Sequence, residues 1–282
     1  MKLPAIPNYQ VYKVLNNSGG TSIIYSGKDV RTNQIVAIKN PRLNNQYSLQ
    51  LLRQEAQSQL NLSSKRHPNI TKLMDYVEAN DTAYLVMEYI NGMSLDEYQR
   101  AKTGPMVDET AVPLFLQMLD AVGFIHKCGY LHKDIKPGNF MVRNDMIIKI
   151  LDMGISAKLK DKDNNPRICG TPSFMPPEQF EKRPLGAYTD VFALGVTFYY
   201  MLTANLPFKG HDRDAIWANI KAGAIPDMRS YYPFVNPIYQ PVVEKAMNPN
   251  PSMRYQTCEE FAAAVVDAYN HRNKFQSLFN RQ

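Results

Sequence analysis

"YLHKDIKPGNF", residues 130–140, sets a histidine, two lysines, an aspartate and an asparagine between apolar neighbours. It reads either as the polar corner of a surface turn or as a loop built for chemistry. Asp134 and Lys136 stand two apart, so in an extended loop they point the same way, and Asn139 follows a Pro-Gly turn that can fold it back on the same place. A carboxylate that can take a hydroxyl proton, a cation for a moving phosphoryl group and an amide oxygen for Mg²⁺ are what phosphoryl transfer requires.

Outward from this loop, "LDMGIS" places Asp152 at a strand end, 13 residues beyond Asn139 and just ahead of a glycine. Upstream, the strand "IVAIK" ends its alternation on Lys39. A strand lysine aimed inward needs a carboxylate, and Glu55 is the only acid in the helical segment 48–64. That helix carries Leu49, Leu52, Ala56 and Leu60 at helical spacing, which are expected to form its buried face. Between the first two strands, "NNSGGTS" (16–22) could lay backbone N–H groups on phosphates, but taken alone it reads better as a plain hairpin turn.

The frame around these segments is that of a globular protein. The chain's 282 residues, 44% hydrophobic and 21% charged, can bury a sizeable core without disulfides, which excludes the disordered and fibrous classes. Cys128, Cys169 and Cys258 show no metal-like spacing and read as reduced thiols of a cytoplasmic protein. The net charge of +6 comes from scattered lysines, so no nucleic-acid partner is expected, only mild attraction for anionic ligands. "MKLPAIPNYQ" lacks a signal-peptide core, and "VFALGVTFYYML" (191–202) is shorter than the roughly 20 residues of a spanning helix; it reads as a buried helix, with no membrane anchor expected in this chain. Short β-branched runs from Tyr9 to about Tyr89 predict a mainly antiparallel sheet, and from Leu95 onward helical patterns dominate. The expected fold class is α+β and bilobal: a small sheet lobe with one main helix (9–88), a hinge at 88–91 and a larger, mainly helical lobe (92–275).

"VAIK" at 36–39, "HPNI" at 67–70, "HKDIKPGN" at 132–139, "DMG" at 152–154, "GTPSFMPPE" at 170–178, "YTDVFALGV" at 188–196 and "NPSMR" at 250–254 stand in the order and spacing of the protein kinase family, which this chain therefore resembles from about Tyr9 to Phe275. The wording around 170–179 and 194–208 is most similar to the eukaryotic-like Ser/Thr kinases of bacteria. The resemblance implies a Ser/Thr kinase that moves the γ-phosphoryl group of ATP, with Mg²⁺ or alternatively Mn²⁺, to a protein hydroxyl. Lys39 would hold the α- and β-phosphates and pair with Glu55. Asp134 would orient the hydroxyl and take its proton, Lys136 would neutralise the γ-phosphate, and Asn139 with Asp152 would hold the metal. Asn17, Gly19, Gly20 and Ser22 would cover the phosphates. Ile24, Ala37 and Met141 would sandwich adenine, Met87 would guard the back of the pocket, Glu88 and Tyr89 would offer backbone contacts, and Ser94 or Asp96 would reach the ribose. Glu178 would pair with Arg254 and Asp190 would brace the catalytic loop, both structural roles; Thr171 after Gly170, with Lys136, is the Ser/Thr pattern.

Where the family reads G-x-G-x-x-G, this chain has Asn17, Gly19 and Ser22. Asn tolerates positive φ and Ser is small, so nucleotide binding is still expected. Met153 replaces the aromatic of D-F-G, Pro176 stands where Ala is usual, and Gln59, a turn past Glu55, occupies a position expected to be apolar. Residues 157–170 contain no Ser, Thr or Tyr, and Lys133 replaces the arginine of H-R-D that would grip a phosphate there. The expectation is a segment ordered without phosphorylation, with Asp161 or Asp163 meeting Lys133 as one reading and a solvated loop as the other. Cys169, near Arg167 and Lys158, could be a redox brake or an ordinary small side chain. Two alternative functions stay open. One is a pseudokinase scaffold, favoured by Asn17, Ser22 and Gln59; the other is a small-molecule phosphotransferase, for which the peptide-docking "GTPSFMPPE" would be superfluous. The partner implied is a protein carrying Ser or Thr, and a homodimer through the small lobe is left open.

Overall fold

The computed structural model describes residues 3–16, 21–152, 157–158 and 170–279. The chain divides into two compact units, Met1–Gly92 with Leu151–Gly154, and Met93–Ile150 with Ile155–Gln282.

The first unit holds a five-stranded antiparallel sheet of β1 (Tyr9–Asn16), β2 (Ser22–Asp29), β3 (Ile35–Pro41), β4 (Leu73–Ala79) and β5 (Thr82–Glu88), in the order β1-β2-β3-β5-β4. The turn from β4 to β5 uses two residues, Asn80 and Asp81, both at positive φ (55° and 58°), the two-residue turn whose twist suits a hairpin. Alternation divides the side chains between two faces. Val36, Ile38, Tyr84 and Val86 join Ile6, Tyr9, Ile23 and Tyr25 in one core. Ala83, Leu85 and Met87 point the other way, against Leu52 and Ala56 of α1 (Gln46–Ser63).

Helix α1 starts on Asn45, whose side chain accepts the Ser48 N–H. Its buried stripe is Leu52, Glu55, Ala56, Gln59 and Leu62, which corrects the expectation for Leu60, 53% exposed. Counting only apolar residues turned the face by most of a quadrant, because the true stripe at i, i+3, i+4 and i+7 admits two polar residues.

The second unit begins within β6 (Gly92–Ser94), continues through α2 (Leu95–Tyr98), α3 (Asp108–Lys127) and β7 (Tyr130–Leu131), and then forms β8 (Phe140–Arg143) and β9 (Ile148–Ile150). A short β10 (Ala157–Lys158) pairs with β7, and β6, β8 and β9 form a three-stranded sheet. Helices α4 (Pro177–Phe180), α5 (Ala187–Thr203), α6 (Arg213–Ala222), α7 (Gln240–Ala246) and α8 (Cys258–Phe279) complete it. The apolar run 191–202 lies in α5, which is buried on nearly every side. Phe115 of α3 stacks on Phe198 of α5 at 4.3 Å and meets Phe261 of α8 edge-on at 5.3 Å, so one aromatic cluster ties three helices together. Gly195 lets α5 approach α7 closely: a Cβ there would lie 2.9 Å from Ala246 Cβ and from Met247 Cγ.

Candidate functional site

In the first unit, strand pairing fixes what Lys39 sees. Lys39 pairs with Leu85 and Ala37 with Met87, and both partners lie on the face that α1 covers. Ile24 pairs with Lys39 from the other side, so Ile24, Ala37, Lys39 and Met87 share one face of the sheet. Lys39 Nζ lies 2.7 and 2.8 Å from the two oxygens of Glu55 and 2.8 Å from Asp152 Oδ1. Lys39 and Glu55 are both buried, whereas the Asp152 side chain keeps 40% of its surface open. Burial alone would lower the lysine's pKa, but the charges of Asp152 and Glu55 outweigh it and raise the value, so the ammonium is charged. Burial pushes the Glu55 carboxyl upward, Lys39 pulls it back and Asp152 adds to the rise. Glu55 is thus held above the ordinary carboxylate range.

Gln59, fully buried one turn beyond Glu55, donates from Nε2 to Thr71 O at 3.0 Å, while its Oε1 has no hydrogen-bond partner among the described residues. Glu88 is engaged with Lys72 through its own N–H and through a carboxylate oxygen, and Tyr89 is 40% exposed. Ser22 opens β2. Asn17, Gly19 and Gly20 lie outside the described residues.

In the second unit, the opening loop closes on Asp134. Lys136 Nζ sits 2.8 Å from Asp134 Oδ2 and donates to Thr171 Oγ1 at 2.8 Å. Asn139 Nδ2 donates to Asp134 O at 2.7 Å and to Oδ2 at 3.1 Å, while Thr171 N–H reaches Oδ1 at 3.2 Å. One carboxylate thus gathers a cation, an amide and a backbone donor. With its NH₂ committed, Asn139 keeps its carbonyl oxygen as an acceptor.

Lys133 has φ of 66°, a costly conformation for a residue with a Cβ. Asp190 holds it there, accepting from the N–H of Lys133 on Oδ1 and of His132 on Oδ2, both at 2.8 Å. His126 Nε2 lies 2.8 Å from the same Oδ2. Burial pushes the Asp190 carboxyl up, but the His126 hydrogen bond and the neighbouring imidazoles prevail and hold it below the usual carboxylate range. Gln179 donates to Lys133 O at 3.3 Å.

Arg254 and Glu178 form a buried two-pronged pair at 2.8 and 2.9 Å. Ser94 caps α2 with Glu97 in a reciprocal box, and Asp96 accepts from Tyr200. Met141 lies half-buried in β8. Trp217 of α6 stacks on Phe180 at 4.9 Å. Cys128 is half-buried and Cys258 is buried. Cys169, Met153 and the contact of Lys133 with Asp161 or Asp163 lie outside the described residues. Residues that the sequence reading missed are His126 and Gln179, which act through Asp190 and Lys133 across long chain separations; the histidine of "FIHKCGYLH" was the only local sign.

No described helix is long and apolar enough to cross a membrane. The family described as "Protein kinase domain" matches residues 9–269. Serine/threonine-protein kinase PrkC of Bacillus subtilis (strain 168) is 31% identical over 93% of this chain and 40% of its own length. Serine/threonine-protein kinase PknB of Mycolicibacterium smegmatis is 32% identical over 92% of this chain and 42% of its own, and PknB of Mycobacterium tuberculosis (strain ATCC 25618 / H37Rv) 31% over 93% and 43%. The chain spans less than half the length of these relatives.

Proposed function

Since this chain belongs to the protein kinase family, we propose that it transfers the γ-phosphoryl group of ATP to a Ser or Thr hydroxyl of a protein substrate. The observation that carries the reading is the Asp134 carboxylate, held by Lys136 at 2.8 Å and by Asn139 and Thr171, in a loop whose Lys133 is left-handed. The substrate oxygen bonds to the γ-phosphorus as the bond to the β,γ-bridging oxygen breaks, and the hydroxyl proton passes to Asp134. Lys136 offsets charge on the phosphoryl oxygens, and Lys39, held by Glu55, binds the α- and β-phosphates.

Mg²⁺ takes few protein oxygens alongside substrate phosphates, and the Asn139 carbonyl and the part-open Asp152 carboxylate have the hard-oxygen chemistry to hold it. When bound, the ion would neutralise phosphate charge. Ile24, Ala37, Met87 and Met141 are the apolar residues proposed around adenine, with Asn17, Gly19, Gly20 and Ser22 over the phosphates and Glu88, Tyr89 and Ser94 at the rim. Mn²⁺ would serve in place of Mg²⁺. The absence of hydroxyls in residues 157–170 and the lysine at position 133 support activity without phosphorylation of that segment. Three cysteines at no metal-like spacing support a cytoplasmic setting.

A pseudokinase is favoured by one observation, the unpartnered Oε1 of Gln59 in the helix that supplies Glu55. Labelled ATP with Mg²⁺, offered with basic and acidic protein substrates, separates the readings. Wild type should incorporate label and Asp134→Asn and Lys39→Met should not; label persisting in both variants removes the kinase assignment, and nucleotide binding without transfer by wild type supports the pseudokinase.

A further inference from the structure

Three side chains form a line that the transfer chemistry does not use. Cys258 Sγ, at the start of α8, lies 3.8 Å from Nδ1 of His126, and Nε2 of the same ring lies 2.8 Å from Asp190 Oδ2. Asp190 then receives the N–H groups of His132 and Lys133, the two residues preceding Asp134.

The chemistry of each atom fixes the direction of the bonds. An ionised carboxylate only accepts, so a bare lone pair on Nε2 at this distance would repel it, and Nε2 must carry a proton. In the neutral ring Nδ1 is then an acceptor, and the atom placed on it is the cysteine sulfur. Burial raises the thiol's pKa well above its ordinary range, and Asp190 and Glu259 act in the same direction against Lys127, so the sulfur keeps its proton and donates. The charged and titratable groups around the ring are therefore Asp190 of α5, His132 of the loop, Cys258 and Glu259 of α8 and Lys127 of α3, the last bridged to Glu259 at 2.7 Å. Gly123 of α3 makes room for the approach, since a Cβ there would stand 3.3 Å from Cys258 Cβ.

We propose that Cys258 is a positioning residue: Asp190 selects the Nε2–H tautomer of His126, the Cys258 S–H anchors the other edge of that ring at Nδ1, and through Asp190 this steadies the left-handed Lys133 backbone from which Asp134 is presented. Only the kinetic consequence rests on the phosphotransfer reading; the tautomer stands apart from it.

Nitrogen-15 spectra of the imidazoles in the whole chain, at about pH 8 where an ordinary histidine is neutral, test the assignment directly. Wild-type His126 should show a protonated Nε2 and an unprotonated, hydrogen-bonded Nδ1. Cys258→Val, close in size but without a donor, should shift the Nδ1 signal toward that of a free acceptor. It should also lower kcat about fivefold, the effect of one modest hydrogen bond, with KM for ATP within about twofold. Cys258→Ser should restore both. A wild-type ring carrying its proton on Nδ1, or a Cys258→Val spectrum and kcat equal to wild type, overturns the proposal. Wild type without transfer would instead defeat the kinase reading, and the ring spectrum would still decide the tautomer.

Discussion

Arg254→Met isolates a buried charge in a way the structure makes quantitative. The guanidinium of Arg254 has five N–H bonds and finds five acceptors: Asn248 O on Nε, Glu178 Oε1 and Tyr188 O on one terminal nitrogen, Glu178 Oε2 and Pro249 O on the other. Both side chains of the pair are essentially closed to water, at 0% and 1% exposure. Methionine fills much of the arginine's volume but strands the Glu178 carboxylate, a loss of about 3 to 5 kcal/mol. For a chain of this size that lowers the melting temperature by roughly 10 °C. Glu178→Gln should cost less, because an amide oxygen still accepts from the fork. The double change Glu178→Leu with Arg254→Met should recover part of the loss, short of wild type, since the carbonyls of Asn248, Tyr188 and Pro249 lose a donor. Thermal unfolding of the four proteins decides it. If Arg254→Met melts within about 1 kcal/mol of wild type, or the double change is worse than the sum of its parts, the stranded-charge reasoning fails.

Gln59→Met removes an amide whose oxygen has no partner among the described residues, and should stabilise the protein by about 1 kcal/mol in urea unfolding; a net loss would mean that the bond to Thr71 O outweighs the orphaned oxygen. Gly195→Ala should destabilise by about 1 to 3 kcal/mol, because its Cβ would have to displace Ala246 and Met247; wild-type stability would show that α7 yields freely. Asp190 titrates below the ordinary carboxylate value near 4, so its contribution is full above that value and fades as pH falls through the lower, folded-state one. The stability gap between wild type and Asp190→Asn should therefore narrow on acidification below about pH 4, and a gap constant with pH would refute the shift.

What the sequence disclosed, and what it hid, follows chain distance. The antiparallel sheet could be read from its short β-branched runs, and the meeting of Lys39 with Glu55 from the need of an inward lysine for an acid where only one was on offer. The Asp134 cluster was readable because its members crowd into a few residues, apart from Thr171. Leu60 was misread because helical periodicity counts apolar residues, whereas a polar side chain with a buried partner can take its place in the stripe. The left-handed Lys133 had no local sign, since its stabilising carboxylate lies 57 residues further along. The thiol on His126 is further still, 132 residues away, and neither residue type announces the other.

Helix α1 is attached to its sheet by a narrow apolar seam, Leu52 and Ala56 with part-buried Leu49, and by polar links: Glu55 on Lys39, Arg53 on Glu78 at 2.7 Å, and the Leu73 N–H on Ser63 Oγ at 3.1 Å. Much of what holds it is therefore polar, and the buried ion pair among these links rests on a single ammonium, in contrast to α5, where apolar contact surrounds the helix. Local opening free energy follows such differences, so the amide protons of α1 should exchange with solvent well before those of α5. The helix that carries Glu55 is an element whose hold on the sheet changes with whatever else engages one ammonium group.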